Sequence, residues 1–333
     1  QTKNQKLGQL AQDKRELDMK FEIASILNRC TTELSSNKDI NLAINNILQI
    51  VNEYFYERTF YTMNRKLLFF DIDGTLLAGG IPGYIPDSTI EALKQAQANG
   101  HYIFINSGRT YGFMPEAIKE FPFDGYVCGC GTEVIFHGET LYHYDLDDSL
   151  KRSLDDILTE CKIQAVCEGR NSCYFQVKND AEVFAPIITI RNSYAKTNLE
   201  HPIRFLDDPV LAFDKFIILT DTNSDIDLFH TKLKDNFDFI IREEMHPYGF
   251  EEIVPKGCSK ASGIDFIVKH LKASLDDCYV FGDSTNDLSM LTHVKNSIAM
   301  GNAYPEVLRN TSYVTTPIDR DGIRNALKHF KLI

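Results

Sequence analysis

The 333-residue chain has no apolar run approaching the ~20 residues that a membrane-spanning helix needs. Its opening residues also lack the apolar stretch of a secretory signal, so a soluble, cytoplasmic protein is expected. Positive charge is in deficit: 35 Lys and Arg face 47 Asp and Glu, for a net charge of −12. That balance disfavours a broad electrostatic grip on nucleic acid or an anionic membrane. It leaves room for a small anionic ligand, because a local site can invert the global sign. Cysteine is too sparse for a disulfide scaffold: of the 8, only Cys128 and Cys130 lie close together, and no His or Cys cluster completes a zinc set. Reduced thiols are expected. With 43% hydrophobic and 25% charged residues the chain has the balance of a folded globular protein. Its length suits about two domains of ~150 residues.

Proline and glycine are nearly missing from residues 1–62, which hold Gly8 and none of the 11 prolines. Their 8 basic and 8 acidic residues cancel, so the acidity belongs to residues 63–333. Ile40, Ile44, Ile47, Leu48, Val51 and Phe55 form one apolar stripe at helical spacing. An earlier helix carries Leu10, Leu17, Phe21, Ile26 and Leu27, and Ser35-Ser36-Asn37 separates the two. A helical extension that packs or dimerises is expected here, with no catalytic cluster. Over its first few dozen residues the segment resembles the linker helix and opening helix of a GAF sensor domain. A whole GAF domain needs a sheet that this stretch lacks, so no ligand-binding function is carried over. The chain opens on Gln1, which reads as a fragment, and Met63 offers an alternative start.

From residue 64 strands and helices alternate. Lys66–Phe70, Tyr102–Asn106, Cys278–Phe281 and Ser297–Met300 are short apolar runs suited to buried parallel strands. Ser88-Thr89-Ile90-Glu91 reads as a capping box opening a helix that ends near Gly100. Further helices are expected around Pro115–Glu120 and Thr285–Val294. This grammar predicts an α/β fold with a Rossmann-like, doubly wound parallel sheet.

Four motifs carry the chemistry. Asp71-Ile72-Asp73-Gly74-Thr75 directly follows the first strand, where open α/β sheets bind ligands. One carboxylate there can attack phosphorus, and the other can protonate the leaving oxygen and later take a proton from water. A bound magnesium relieves the repulsion between carboxylate and phosphate. Ser107-Gly108-Arg109 follows the second strand and offers a hydroxyl and backbone N–H groups to phosphate oxygens. Lys260, opening a helix, adds a point charge where N–H groups already favour anions, with Lys256 as its rival. In Gly282-Asp283-Ser284-Thr285-Asn286-Asp287, Asp283 and Asp287 offer hard oxygen ligands and Asn286 a donor for phosphate. Asp287 serves equally well to cap the helix or orient Lys260.

With these motifs in this order, residues 63–333 resemble the haloacid dehalogenase superfamily, and within it the Cof-type phosphatases. The resemblance implies Asp71 as nucleophile and Asp73 as general acid and base. It implies Asp71, Asp283 and the backbone carbonyl of Asp73 as Mg2+ ligands. It implies Ser107, Gly108, Lys260, Asn286 and the backbone of Ile72 as phosphate contacts, with Asp287 behind them. Cys130 is a departure, because similar proteins often carry Asn there.

The interval from Ser107 to Lys260 spans 153 residues, too long for one connection, so an inserted domain is expected. The division predicted is a core of 63–145 and 251–333 with an α/β cap at 146–250. The cap's helices are expected near Ser149–Cys161, Ala181–Tyr194 and Ile226–Leu233. Its strands are expected near Gln164–Cys167, Tyr174–Val177, Lys215–Thr220 and Phe237–Arg242. Such a cap closes over the site, and Glu168-Gly169-Arg170 and Glu244–His246 are its candidate substrate contacts. His101, His137 and His143 receive no role. The function expected is Mg2+-dependent hydrolysis of small phosphorylated metabolites, namely sugar phosphates, nucleotides or phosphorylated cofactors, through an aspartyl-phosphate. The alternatives are a phosphohexomutase or a sensory protein using the N-terminal helices. No nucleic-acid or membrane partner is expected.

Overall fold

The computed structural model describes residues 65–79, 83–177, 183–197, 203–242 and 249–333, with scattered positions between 25 and 49. Those scattered positions, Ile44 and Ile47 among them, are helical. The rest of the expected 1–62 extension, with its dimerising role, and Glu244–His246 lie outside the described residues.

In chain order the strands are β1 (Leu67–Phe70), β2 (Tyr102–Asn106), β3 (Gly125–Cys128), β4 (Glu133–Phe136), β5 (Glu139–His143), β6 (Gln164–Glu168) and β7 (Cys173–Phe175). There follow β8 (Ile203–Phe205), β9 (Lys215–Thr220), β10 (Phe237–Ile241), β11 (Gly249–Pro255), β12 (Cys278–Gly282), β13 (Asn296–Ala299) and β14 (Tyr313–Val314). Eight form one sheet in the order β14-β13-β12-β1-β2-β3-β4-β5, and six form another in the order β10-β11-β9-β6-β7-β8.

The larger sheet is parallel from β14 to β3. Its centre is covered on both faces, which is why β1 is apolar at every position. Leu68 and Phe70 pack with Leu93, Ile103 and Ile323 on one face. Leu67 and Phe69 pack with Phe104, Ile264 and Val280 on the other. Helices Asp87–Ala98 and Gly322–His329 cover the first face, and Lys260–Leu271 and Leu288–His293 the second. The doubly wound core is therefore as expected, with one addition: β4 and β5 extend the edge as antiparallel strands. The expected capping box at Ser88 does not form. The helix begins at Asp87 after Pro86, whose fixed φ starts the turn without a side-chain cap, and the Ser88 hydroxyl makes no hydrogen bond among the described residues.

The smaller sheet forms the cap and is antiparallel except between β7 and β8. Leu154, Leu158, Phe229 and Leu233 from helices Asp148–Cys161 and Ile226–Leu233 pack onto Ala165, Phe216, Ile218 and Ile253. β11 pairs with β9 and β10, so the chain returns to the larger sheet after Pro255 rather than at the expected 250/251 boundary. The cap lies shut on the core. Thr110 Oγ1 donates to the Gly169 carbonyl at 2.9 Å, and His143 Nε2 lies 2.9 Å from Asp214 Oδ1. Arg170 reaches Glu133 at 2.6 Å, and the Phe113 and Tyr194 rings meet at 4.8 Å.

Candidate active site

Register places Phe70 at the end of β1 beside Ile105 of β2 and Phe281 of β12. The motifs that follow these strands emerge side by side at one sheet edge. β1 is the switch point, because the chain winds to β2 and β3 on one side before returning to β12 on the other.

Asp71 is buried there, its backbone N–H donating to the Phe281 carbonyl at 3.0 Å. Lys260 enters at the start of its helix, which Ser259 and Ser262 cap reciprocally. Asn106 Nδ2 ties that start to β2 by donating to the Lys260 carbonyl at 2.9 Å. The Lys260 side chain is wholly buried, and its ammonium donates to Asp71 Oδ1 at 2.6 Å and Asp287 Oδ1 at 2.5 Å. The other Asp287 oxygen accepts from the backbone N–H groups of Asp283 at 2.9 Å and Ser284 at 3.0 Å. Asp287 thus both closes its own turn and anchors Lys260. The rival Lys256 is exposed and donates to the Lys234 carbonyl of the cap at 2.7 Å.

Asp283 stands over the turn at Gly74. A Cβ on Gly74 would lie 2.2 Å from Asp283 Oδ2, and the backbone there has φ +89°, so the close approach needs glycine. Thr75 Oγ1 fixes the other Asp283 oxygen at 2.8 Å. Asp71, Asp283 and Asp287 each offer a carboxylate oxygen, all within 4.8 Å of one another. Burial, then the negative charge of Asp287, pushes the Asp71 carboxyl up to about 7, against the pull of Lys260. Burial and the Asp287 and Asp71 charges push Asp283 up to about 8. For Lys260, burial alone favours the neutral amine, but Asp287 and Asp71 outweigh it and hold the ammonium above its ordinary range. Carboxylates so crowded favour a cation, and hard oxygen donors fit a divalent one such as magnesium.

Asp73 points outward, with 54% of its side chain exposed. Arg109 grips it with both ends of the guanidinium, Nε to Oδ2 at 2.7 Å and Nη2 to Oδ1 at 2.9 Å. Ser107 Oγ is buried and accepts from the Arg109 N–H at 3.2 Å. Asn286 is buried in the turn after β12, its Oδ1 accepting from Ser284 Oγ at 2.7 Å. Ile72 is buried, and its carbonyl accepts from the N–H groups of Leu76 and Leu77. Cys130 sits at φ +56° between two glycines that also have positive φ. Asn tolerates that left-handed backbone better than Cys.

Of the cap's expected contacts, Glu168 lies in a buried charge network whose other members, Glu252 and Lys215, sequence reasoning overlooked. Glu252 of β11 reaches the core, where its Oε1 accepts from Asn286 Nδ2 at 2.9 Å. Lys215, buried at the start of β9, bridges Glu252 at 3.1 Å and Glu168 at 2.8 Å, and Tyr194 donates to Glu168. Burial alone would raise the Glu252 carboxyl, but Lys215, Arg242 and Lys260 hold it well below the usual carboxylate range. A charged pair, Glu251-Glu252, inside an otherwise apolar strand was the available signal. For Arg109 the signal was its place directly after Ser107-Gly108. His101 is structural, its Nδ1 accepting from the Lys66 N–H at 3.1 Å.

A family model described as haloacid dehalogenase-like hydrolase matches residues 68–327. YkrA of Bacillus subtilis is 29% identical over 271 residues, covering 81% of this chain and 100% of its own. An HMP-PP phosphatase of Yersinia pseudotuberculosis is 26% identical over 273 residues, covering 80% and 95%. The solved structure of the sugar phosphatase BT4131, of haloacid dehalogenase subclass IIB, superposes with a TM-score of 0.65 at 27% identity, over 80% of this chain and 100% of that one. A match of this extent, on an α/β core whose acidic motifs converge at the switch point, places the chain in the haloacid dehalogenase-like hydrolase family.

Proposed function

We propose that the protein hydrolyses a small phosphorylated metabolite, with Asp71 as nucleophile and Asp73 as general acid and base. The observation that carries this reading is the buried Asp71–Lys260–Asp287 cluster at the switch point, with Asp283 beside it and Asp73 two residues on. An Asp71 oxygen attacks phosphorus as the bond to the leaving oxygen breaks, and Asp73, turned from Arg109 to the substrate and protonated, gives that oxygen its proton. Water then attacks the aspartyl-phosphate and yields its proton to Asp73, releasing orthophosphate and restoring the Asp71 carboxylate. Lys260 steadies the nucleophile's charge and stands ready for a phosphate oxygen. Ser107, Gly108, Asn286 and the Ile72 backbone line the phosphate position. Asp71, Asp283 and the Asp73 carbonyl would hold Mg2+, which when bound offsets the repulsion between phosphate and carboxylates.

The cap's contacts with the core, through Thr110–Gly169 and Arg170–Glu133, bring its residues over the site while Asp73 keeps access to the water that hydrolysis needs. The activities named for the Yersinia enzyme and for BT4131, on HMP-PP and on sugar phosphate, support a small phosphorylated substrate. The test is phosphate release from a panel of sugar phosphates, nucleotides and phosphorylated cofactors, with and without Mg2+, comparing wild type with Asp71→Asn. Magnesium-dependent release that vanishes in the variant is expected. Equal release from both would overturn the assignment of the nucleophile.

A further inference from the structure

Glu252 belongs to the cap by its strand and to the core by its contacts. Its Oε1 accepts from Asn286 Nδ2 at 2.9 Å and from Arg242 Nη1 at 2.6 Å. Its Oε2 accepts from Lys215 Nζ at 3.1 Å and from Cys130 Sγ at 3.2 Å. Lys215 and Arg242 are cap residues, whereas Asn286 and Cys130 are core residues. The carboxylate also rests on the turn after β2, since a Cβ on Gly108 would lie 2.7 Å from Oε2. The cap therefore places one ionised, buried group directly against two parts of the proposed phosphate cradle.

The consequence for Asn286 is orientation. Its Oδ1 is held by Ser284 Oγ at 2.7 Å and its Nδ2 by Glu252 at 2.9 Å, which fixes the plane of the amide. An amide nitrogen carries two hydrogens, so one remains for a phosphate oxygen. Ser284 moves with the core, but Glu252 arrives only with the cap. The amide is thus clamped at both ends only when the cap is shut.

We propose that Glu252 is a positioning residue that couples cap closure to the phosphate cradle, by orienting the Asn286 amide and bracing the Gly108 turn. This rests on the reading of Asn286 as a phosphate contact. A glutamine at 252 fills the same volume but has one acceptor oxygen where the carboxylate has two. It cannot accept at once from Asn286 on one side and Lys215 on the other, so one contact is lost.

The experiment is a double-mutant cycle of wild type, Glu252→Gln, Asn286→Ala and the double variant. It reads kcat and KM with p-nitrophenyl phosphate and the affinity for orthophosphate by calorimetry. Glu252→Gln is expected to weaken kcat/KM and orthophosphate binding about tenfold. In the Asn286→Ala background it should cost no more than about twofold, because the group through which it acts is gone. Asn286→Ala leaves Glu252 paired with Lys215 and Arg242, so the variants should fold; thermal melting checks this. Losses that simply add, or an unchanged orthophosphate affinity in Glu252→Gln, would overturn the proposal and leave Glu252 as a structural ion pair. Failure of the hydrolase reading looks different: Asp71→Asn would be as active as wild type, while the orthophosphate cycle would still judge Glu252.

Discussion

Lys260→Met tests the electrostatic design of the site most directly. The substitution keeps the length of the side chain and removes one positive charge from between Asp71, at 2.6 Å, and Asp287, at 2.5 Å. All three side chains are essentially buried, so solvent cannot replace the lost partner. Breaking a buried ion pair from one side costs ~3–5 kcal/mol, and that is the loss of unfolding free energy expected in metal-free buffer. The loss has a pH signature. In the wild type, burial and Asp287 push the Asp71 carboxyl up to about 7 in the folded state, against 3.8 for an unperturbed aspartate. Between those values the folded state binds a proton that the unfolded chain does not, so the Asp71 contribution to stability falls as pH rises through about 7, and Asp283 extends the fall to about 8. Without Lys260 the carboxyl rises further, and the fall continues into alkaline pH. The penalty should therefore be larger at about pH 9 than at about pH 6. Urea unfolding of both proteins at the two pH values, with a chelator present, measures it. A loss below about 1 kcal/mol, or one independent of pH, would refute the account.

Two further substitutions test packing around the site. Gly74→Ala would place a Cβ 2.2 Å from Asp283 Oδ2 at a backbone φ of +89°. Because Thr75 also pins Asp283, its carboxylate must swing out, and Mg2+ affinity measured by calorimetry should fall roughly 10- to 100-fold. Unchanged affinity would separate Asp283 from the metal. Gly263→Ala would drive a Cβ to within 2.2 Å of Val127 Cγ1, where the Lys260 helix packs on β3. Overpacking of ~1–3 kcal/mol should exceed the ~1 kcal/mol gained in helix propensity, lowering the urea midpoint. A raised midpoint would mean that the helix shifts freely.

The central strands could be read from the sequence because burial on both faces leaves them no polar alternative. Tyr102–Asn106 matches β2, and Lys66–Phe70 and Cys278–Phe281 differ from β1 and β12 by a residue at one end. Edge and cap strands were harder. β3, β4, β5, β8, β11 and β14 went unread: β5 and β8 are not fully buried at any position, β14 has two residues, and β11 carries the charged pair Glu251-Glu252 ahead of Ile253-Val254. The 250/251 boundary was misjudged for the same reason.

The convergence of Asp71, Asp283 and Asp287 was legible in the sequence through local physics, and Lys260 joins them by opening the helix that leads into β12. Buried parallel strands joined by right-handed crossovers must all deliver their following residues to one edge, so motifs placed after strands meet without further instruction. Which partners those residues take across the cap was decided only by tertiary structure. The grip of Arg109 on Asp73, and the reach of Glu252 to Asn286, depend on how the connection after β2 and a second sheet come to rest on the first. That docking is set by contacts between residues far apart in the chain, and no local spacing records them.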